Sequence, residues 1–166
     1  MEIKSIPQTE LRGAALRHEI LRRIEADPSA WNQAVWIGQS VDYDINESGI
    51  ILPLAATVAV FIQEHQAPPW DCGTAYCFAG HTVLACGAKL TDETVWRAEH
   101  TGGRLSTDEV VDPQGENRFI EQYARELLDL TYGQAEAMFS SGNSLEDLRV
   151  LVEALDADPE DDLSGW

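Results

Sequence analysis

Basic residues are scarce in this chain: 11 lysines and arginines stand against 29 aspartates and glutamates, a net charge of −18. That balance repels phosphate backbones. Nucleic-acid affinity comes from cations that displace counterions, so ordinary DNA or RNA binding is disfavoured. Cysteine is also scarce, and three, an odd number, are too few for a disulfide framework. There is no long apolar run. The longest, Gly49 to Ile62 (GIILPLAATVAVFI), spans 14 residues with Pro53 inside it, whereas a bilayer span takes about 20. The N-terminus lacks the charged-then-apolar pattern of a secretory leader. Together these absences lead us to expect a reduced, cytoplasmic protein without a membrane span.

What is present is enough for a folded core. The chain has 166 residues, 44% of them hydrophobic, with five Trp, four Tyr and four Phe, which suits one domain. The charge is uneven: residues 1–30 are neutral, and everything from Trp31 onward carries the whole −18. A surface of that sign favours solubility or a basic partner.

Hydrophobic periodicity predicts a mainly α-helical bundle. Thr9 is expected to cap a first helix running to about Ala26, with Leu16, Ile20 and Ile24 on one face and arginines on the remainder. A second buried helix is expected over Pro53 to Gln66, stopped by Pro68 and Pro69. The segment Thr74 to Cys86 reads as a central helix, apolar on most sides, ended by Gly87 in the left-handed conformation. Thr94 to Glu99 alternates and is followed by Gly102-Gly103, so a small hairpin is expected near residues 94–106. Phe119 to Leu130 returns to helix. Thr131 with Gln134, and Ser144 with Asp147, mark the starts of two more helices. The last of these presents Leu148, Leu151, Val152 and Leu155 inward. The globular domain is thus expected over residues 1–155, followed by an acidic, disordered tail over residues 156–166.

The chemistry-bearing stretch is DCGTAYCFAGH, residues 71–81. Cys72, Cys77 and His81 are the candidate metal ligands, but their spacing lacks the paired ligands of a zinc knuckle. At about 100° per residue, Cys86 falls about 180° from Cys77 on a continuous helix, so those two cannot share an ion. Cys72 is also a candidate nucleophile, because amides at a helix start lower a thiol's pKa. Its base would come from His65, His81 or His100, oriented by Asp71 or Asn117. Against both stands the packing reading, in which the cysteines are small apolar core residues and His81 is a hydrogen-bonded interior residue. We take packing as the leading reading, with no cofactor and no metal expected. Asp44-x-Asn46-x-Ser48-Gly49-x-Ile51 matches the first positions of a calcium loop, but position twelve is Ala55, where a bidentate glutamate belongs. It is read as a turn.

Cys-Gly-Thr-x-x-Cys-x-Ala-Gly-His over residues 72–81 resembles the signature of a group of small actinobacterial and actinophage proteins. The segments Ala124 to Leu130 and Ala135 to Phe139, and the N-terminal stretch Ile20 to Trp31, resemble the same group. The likeness covers about two thirds of the chain. It implies no activity, and the histidine position is tryptophan in some members, which argues against an obligatory chemical role for His81. The function expected is a small acidic, non-enzymatic protein-binding protein, phage-related and directed at a host protein. The alternatives are a hydrolase or transferase using Cys72 with His81 or His100, and an acidic decoy imitating the charge of DNA.

Overall fold

The computed structural model describes residues 6–28, 31, 33, 37–39, 74–100 and 106–163. The expected helix over residues 53–66, the calcium-like turn, Cys72 and His65 lie outside them. Among the described residues the chain is a mainly helical bundle with small antiparallel sheets. Helix α1 (Gly13–Ala26) buries Leu16, Ile20, Leu21 and Ile24 on the face that periodicity gives it. It starts four residues later than Thr9. The Thr9 hydroxyl accepts the Leu11 amide instead, and Arg12 holds the cap position without a side-chain bond.

Strand β1 (Ile37–Gln39) pairs antiparallel with β2 (Thr74–Tyr76), Ile37 opposite Tyr76. This corrects the expected helix over residues 74–86. The first three of those residues are extended, and helix α2 (Phe78–Ala85) begins only after Cys77. Thr and Tyr suit a strand, and the distant partner that recruits them leaves no local trace. Helix α2 is central all the same. Phe78, Ala79, Gly80, His81, Thr82, Val83 and Ala85 are buried, and it packs against α1 and the two helices α4 and α5 described below. Gly87 follows it at φ +89°, the left-handed turn expected of it.

After β3 (Lys89–Leu90) comes α3 (Asp92–His100). The small hairpin expected is present but lies further along than residues 94–106, because residues 94–100 are helical. The Thr91 hydroxyl accepts the Thr94 amide at 3.1 Å, and Asp92 and Glu93 sit at the positive end of the helix dipole. Those start signals outweigh a six-residue alternation. Beyond β4 (Ser106–Thr107), which lies on the other edge of β1, the actual hairpin joins β5 (Glu109–Val111) to β6 (Asn117–Phe119). Asp112 closes its turn. The buried carboxylate accepts the Gln114 and Glu116 amides, both at 2.9 Å.

Helices α4 (Ile120–Leu128), α5 (Tyr132–Phe139) and α6 (Leu145–Ala157) complete the bundle. Both expected capping boxes are present, Thr131 with Gln134 and Ser144 with Asp147. Leu148, Leu151, Val152 and Leu155 are buried, and α6 packs on α1 and α5. The segment expected to fray does not do so over its described part. Helix α6 continues to Ala157, and Leu163 is only 3% exposed. The buried amide of Gln134 donates to the carbonyls of Pro159 (2.9 Å) and Asp161 (2.7 Å), a tie that acidic composition gives no hint of.

Candidate functional site

The cysteine–histidine segment is built into the core. Cys77 caps α2: its Sγ accepts the Gly80 amide at 3.4 Å. Burial pushes its thiol up to about 11, against a usual 9.0, with the cap hydrogen bond opposing the rise. A thiol so raised stays protonated at neutral pH and is poorly suited to nucleophilic attack. Cys86, at the other end of α2, is also buried, and burial raises its pKa despite the nearby Arg12. His81 is 5% exposed and meets the buried Tyr76 ring edge to face, 5.2 Å between centroids. His100 is remote in character. It is exposed on α3 and stacks on Trp96 at 4.4 Å, its Nδ1 2.8 Å from the Trp96 carbonyl. Among the described residues no three His, Cys, Asp or Glu side chains are placed to hold a metal ion, and none of the helices is long and apolar enough to cross a membrane.

Sequence reasoning missed Gln33. Its buried side chain accepts the Phe78 amide at 3.1 Å and the Trp31 indole N–H at 3.2 Å, and donates to the Met138 carbonyl at 3.0 Å. It thus links the start of α2 to the end of α5. A lone polar residue in a stretch of irregular pattern carries no signal of that task.

The surface offers a different arrangement. Among the described residues, several arginines are engaged by carboxylates: Arg22 and Arg23 pair with Glu19, Arg149 with Glu25 and Glu146, and Arg118 with Glu126 and Asp112. Arg17, buried, donates to the Leu128 carbonyl at 3.0 Å and lies 3.9 Å from Asp156. The excess acids face solvent, among them Asp92, Asp108, Glu116, Glu121, Glu136 and Glu153.

Within that acidic surface is a groove of about 420 Å³ lined by Asp108, Phe119, Glu121, Gln122, Arg125 and Tyr132. Phe119 is 56% exposed and Tyr132 68%, while Tyr76, Phe78, Tyr123 and Phe139 are buried. Both exposed rings stand at helix starts, Phe119 as the cap of α4 and Tyr132 as the first residue of α5. Helical side chains lean toward the N-terminus, so Tyr132 overhangs the end of α5, while Phe119, extended at the end of β6, shares the exposed side of that strand with Asn117. Helical periodicity alone would have placed both on inner stripes. Neither Asp108 nor Glu121 forms an ion pair with a described residue.

No family model matches the chain, and no curated protein or solved structure matches it either.

Proposed function

We propose that this is an acidic, non-enzymatic binding protein whose partner is a basic protein. The observation that carries the reading is the pairing pattern of its charges. Among the described residues, Arg22, Arg23, Arg118 and Arg149 are engaged by the chain's own carboxylates, and the −18 chain keeps a surplus of acids facing solvent. Such a field accelerates encounter with a basic partner and selects against acidic ones. The likeness of residues 72–81 to a signature of actinobacterial and actinophage proteins supports a phage-related, host-directed role. The free, buried thiol of Cys86 suits a reducing, cytoplasmic setting.

The experiment is capture from host lysate on the immobilised protein, followed by titration of the purified captured protein. A basic partner is expected, with affinity falling steeply between low ionic strength and about 0.15 M. A neutral or acidic partner, or affinity indifferent to salt, would overturn the reading. The same surplus of carboxylates favours a second reading, the decoy that imitates DNA. It requires DNA to compete for the captured protein. The enzyme alternative is answered by Cys72→Ser: the folded variant should retain binding and biological effect, and fast alkylation of Cys72 near neutral pH with loss of effect in that variant would promote the thiol enzyme.

A further inference from the structure

We propose that the groove at Phe119 and Tyr132 seats a basic side chain, a guanidinium or ammonium, from a basic segment of the partner protein. The inference rests on the reading above and assigns it a site. Two exposed rings and two carboxylates line one groove. That is the chemistry that holds an organic cation: ring faces attract it by their quadrupole, and carboxylates supply the countercharge.

The chain already performs the same recognition on itself nearby. The Arg118 guanidinium lies 4.8 Å from the Tyr123 ring centroid and pairs with Glu126 and, at 3.8 Å, with Asp112. Ring and carboxylates around a guanidinium recur there with the cation supplied internally. In the groove, Phe119, Tyr132, Asp108 and Glu121 offer the same set outward. Hot-spot residues of protein interfaces are commonly aromatic and sit in concave sites, which fits two exposed rings, Phe119 and Tyr132, lining one groove. Arg125 also lines the groove, and its like charge opposes such a guest. That gives the proposal a signed consequence.

The probe is a short arginine-rich peptide, titrated at low ionic strength against wild type, Phe119→Leu, Tyr132→Leu, Glu121→Gln and Arg125→Gln. The leucine variants keep apolar bulk at exposed positions and remove only the ring face, so folding is not at stake; circular dichroism checks it. Each ring variant should bind about threefold to tenfold more weakly. Glu121→Gln should also weaken binding, and Arg125→Gln should strengthen it. Amide shifts on peptide addition should cluster over residues 108–132. Ring variants that bind as wild type does, or a weaker Arg125→Gln, would overturn the groove while leaving the basic-partner reading intact. A wild-type protein that ignores the peptide at low salt would overturn both.

Discussion

The side-chain oxygen of Gln33 accepts the backbone amide of Phe78 at 3.1 Å, so the first amide of the central helix is satisfied from 45 residues upstream. Two positions on, the Gly80 amide goes to the Cys77 sulfur. The amides at a helix start have no partner within the helix, and here they are buried where water cannot serve them. Residues from two separate parts of the chain therefore have to meet before α2 can start in this place.

Gln33→Ala should be severely destabilising for that reason. It strands the Phe78 amide in the core, and buried donors left unpaired cost about 1–3 kcal/mol each. The Met138 carbonyl is protected, because Asn143 also donates to it at 3.1 Å. We expect a loss of roughly 2–3 kcal/mol in urea unfolding. A loss under about 0.5 kcal/mol would show that Gln33 does not cap α2.

Cys77 makes stability sensitive to alkaline pH, with a definite sign. Its folded pKa, about 11, lies above its usual 9.0. The unfolded chain thus loses the thiol proton first. The contribution is fully present below about pH 9 and fades as pH rises through about 11. Tyr76, pushed to about 12 from 10.0 by burial, adds a decline of the same sign at higher pH. Urea midpoints for wild type should fall from about pH 9 upward. Cys77→Ser, which puts an oxygen acceptor in place of the sulfur that receives the Gly80 amide, should fall less over pH 9–11. Parallel profiles for the two proteins would contradict the assignment. Alkylation of Cys77 below pH 9 should require unfolding.

Local signals were legible and long-range pairing was not. The capping boxes at Thr131 and Ser144 and the stripes of α1 and α6 depend on neighbours three or four residues apart, so the sequence exposes them. The three-residue strands β1 and β2 exist because residues 37–39 and 74–76 meet, and such short segments have no period to read. The candidate site divides in the same way. The burial of Cys77 and His81 follows from an apolar segment that was visible at once. The exposed Phe119 and Tyr132 look like core residues by helical period, but Phe119 is extended at the end of β6 and Tyr132 sits in the first position of α5.

Arg17 should be more costly to lose than a surface arginine. Its guanidinium meets the Leu128 carbonyl, at the end of α4, and the residue is only 5% exposed. Burial lowers its pKa while Asp156 and Asp129 oppose the change, so the charge is held by its carboxylate neighbours and the carbonyl together. Arg17→Met keeps the stem but strands the carbonyl and removes the countercharge. We expect a loss of about 1–3 kcal/mol, against nearly none for the exposed Arg22→Met. Equal losses in thermal or urea unfolding would refute the distinction.

The acidic C-terminal segment supplies a prediction whose sign separates two accounts. If residues 158–166 were merely a charged tail, removing Asp158, Glu160, Asp161 and Asp162 would relieve repulsion in an already acidic chain and raise stability slightly. The structure requires the opposite. Leu163 is buried, and fully burying a leucine contributes about 1.5–3 kcal/mol. The Gln134 amide would lose both carbonyl acceptors, Pro159 and Asp161. Gly133 also belongs to this dock: a Cβ there would lie 3.2 Å from the Asp162 carbonyl oxygen, so its bare α-carbon lets the segment lie close. Truncation after Ala157 should therefore cost roughly 2–4 kcal/mol, with Leu163→Ala accounting for much of it and Gly133→Ala costing less. Because the terms are burial and hydrogen bonding, the loss should persist in high salt, where repulsion between exposed carboxylates is screened. A truncated protein as stable as the full chain, or more so at low salt, would show that the segment is not held against the bundle.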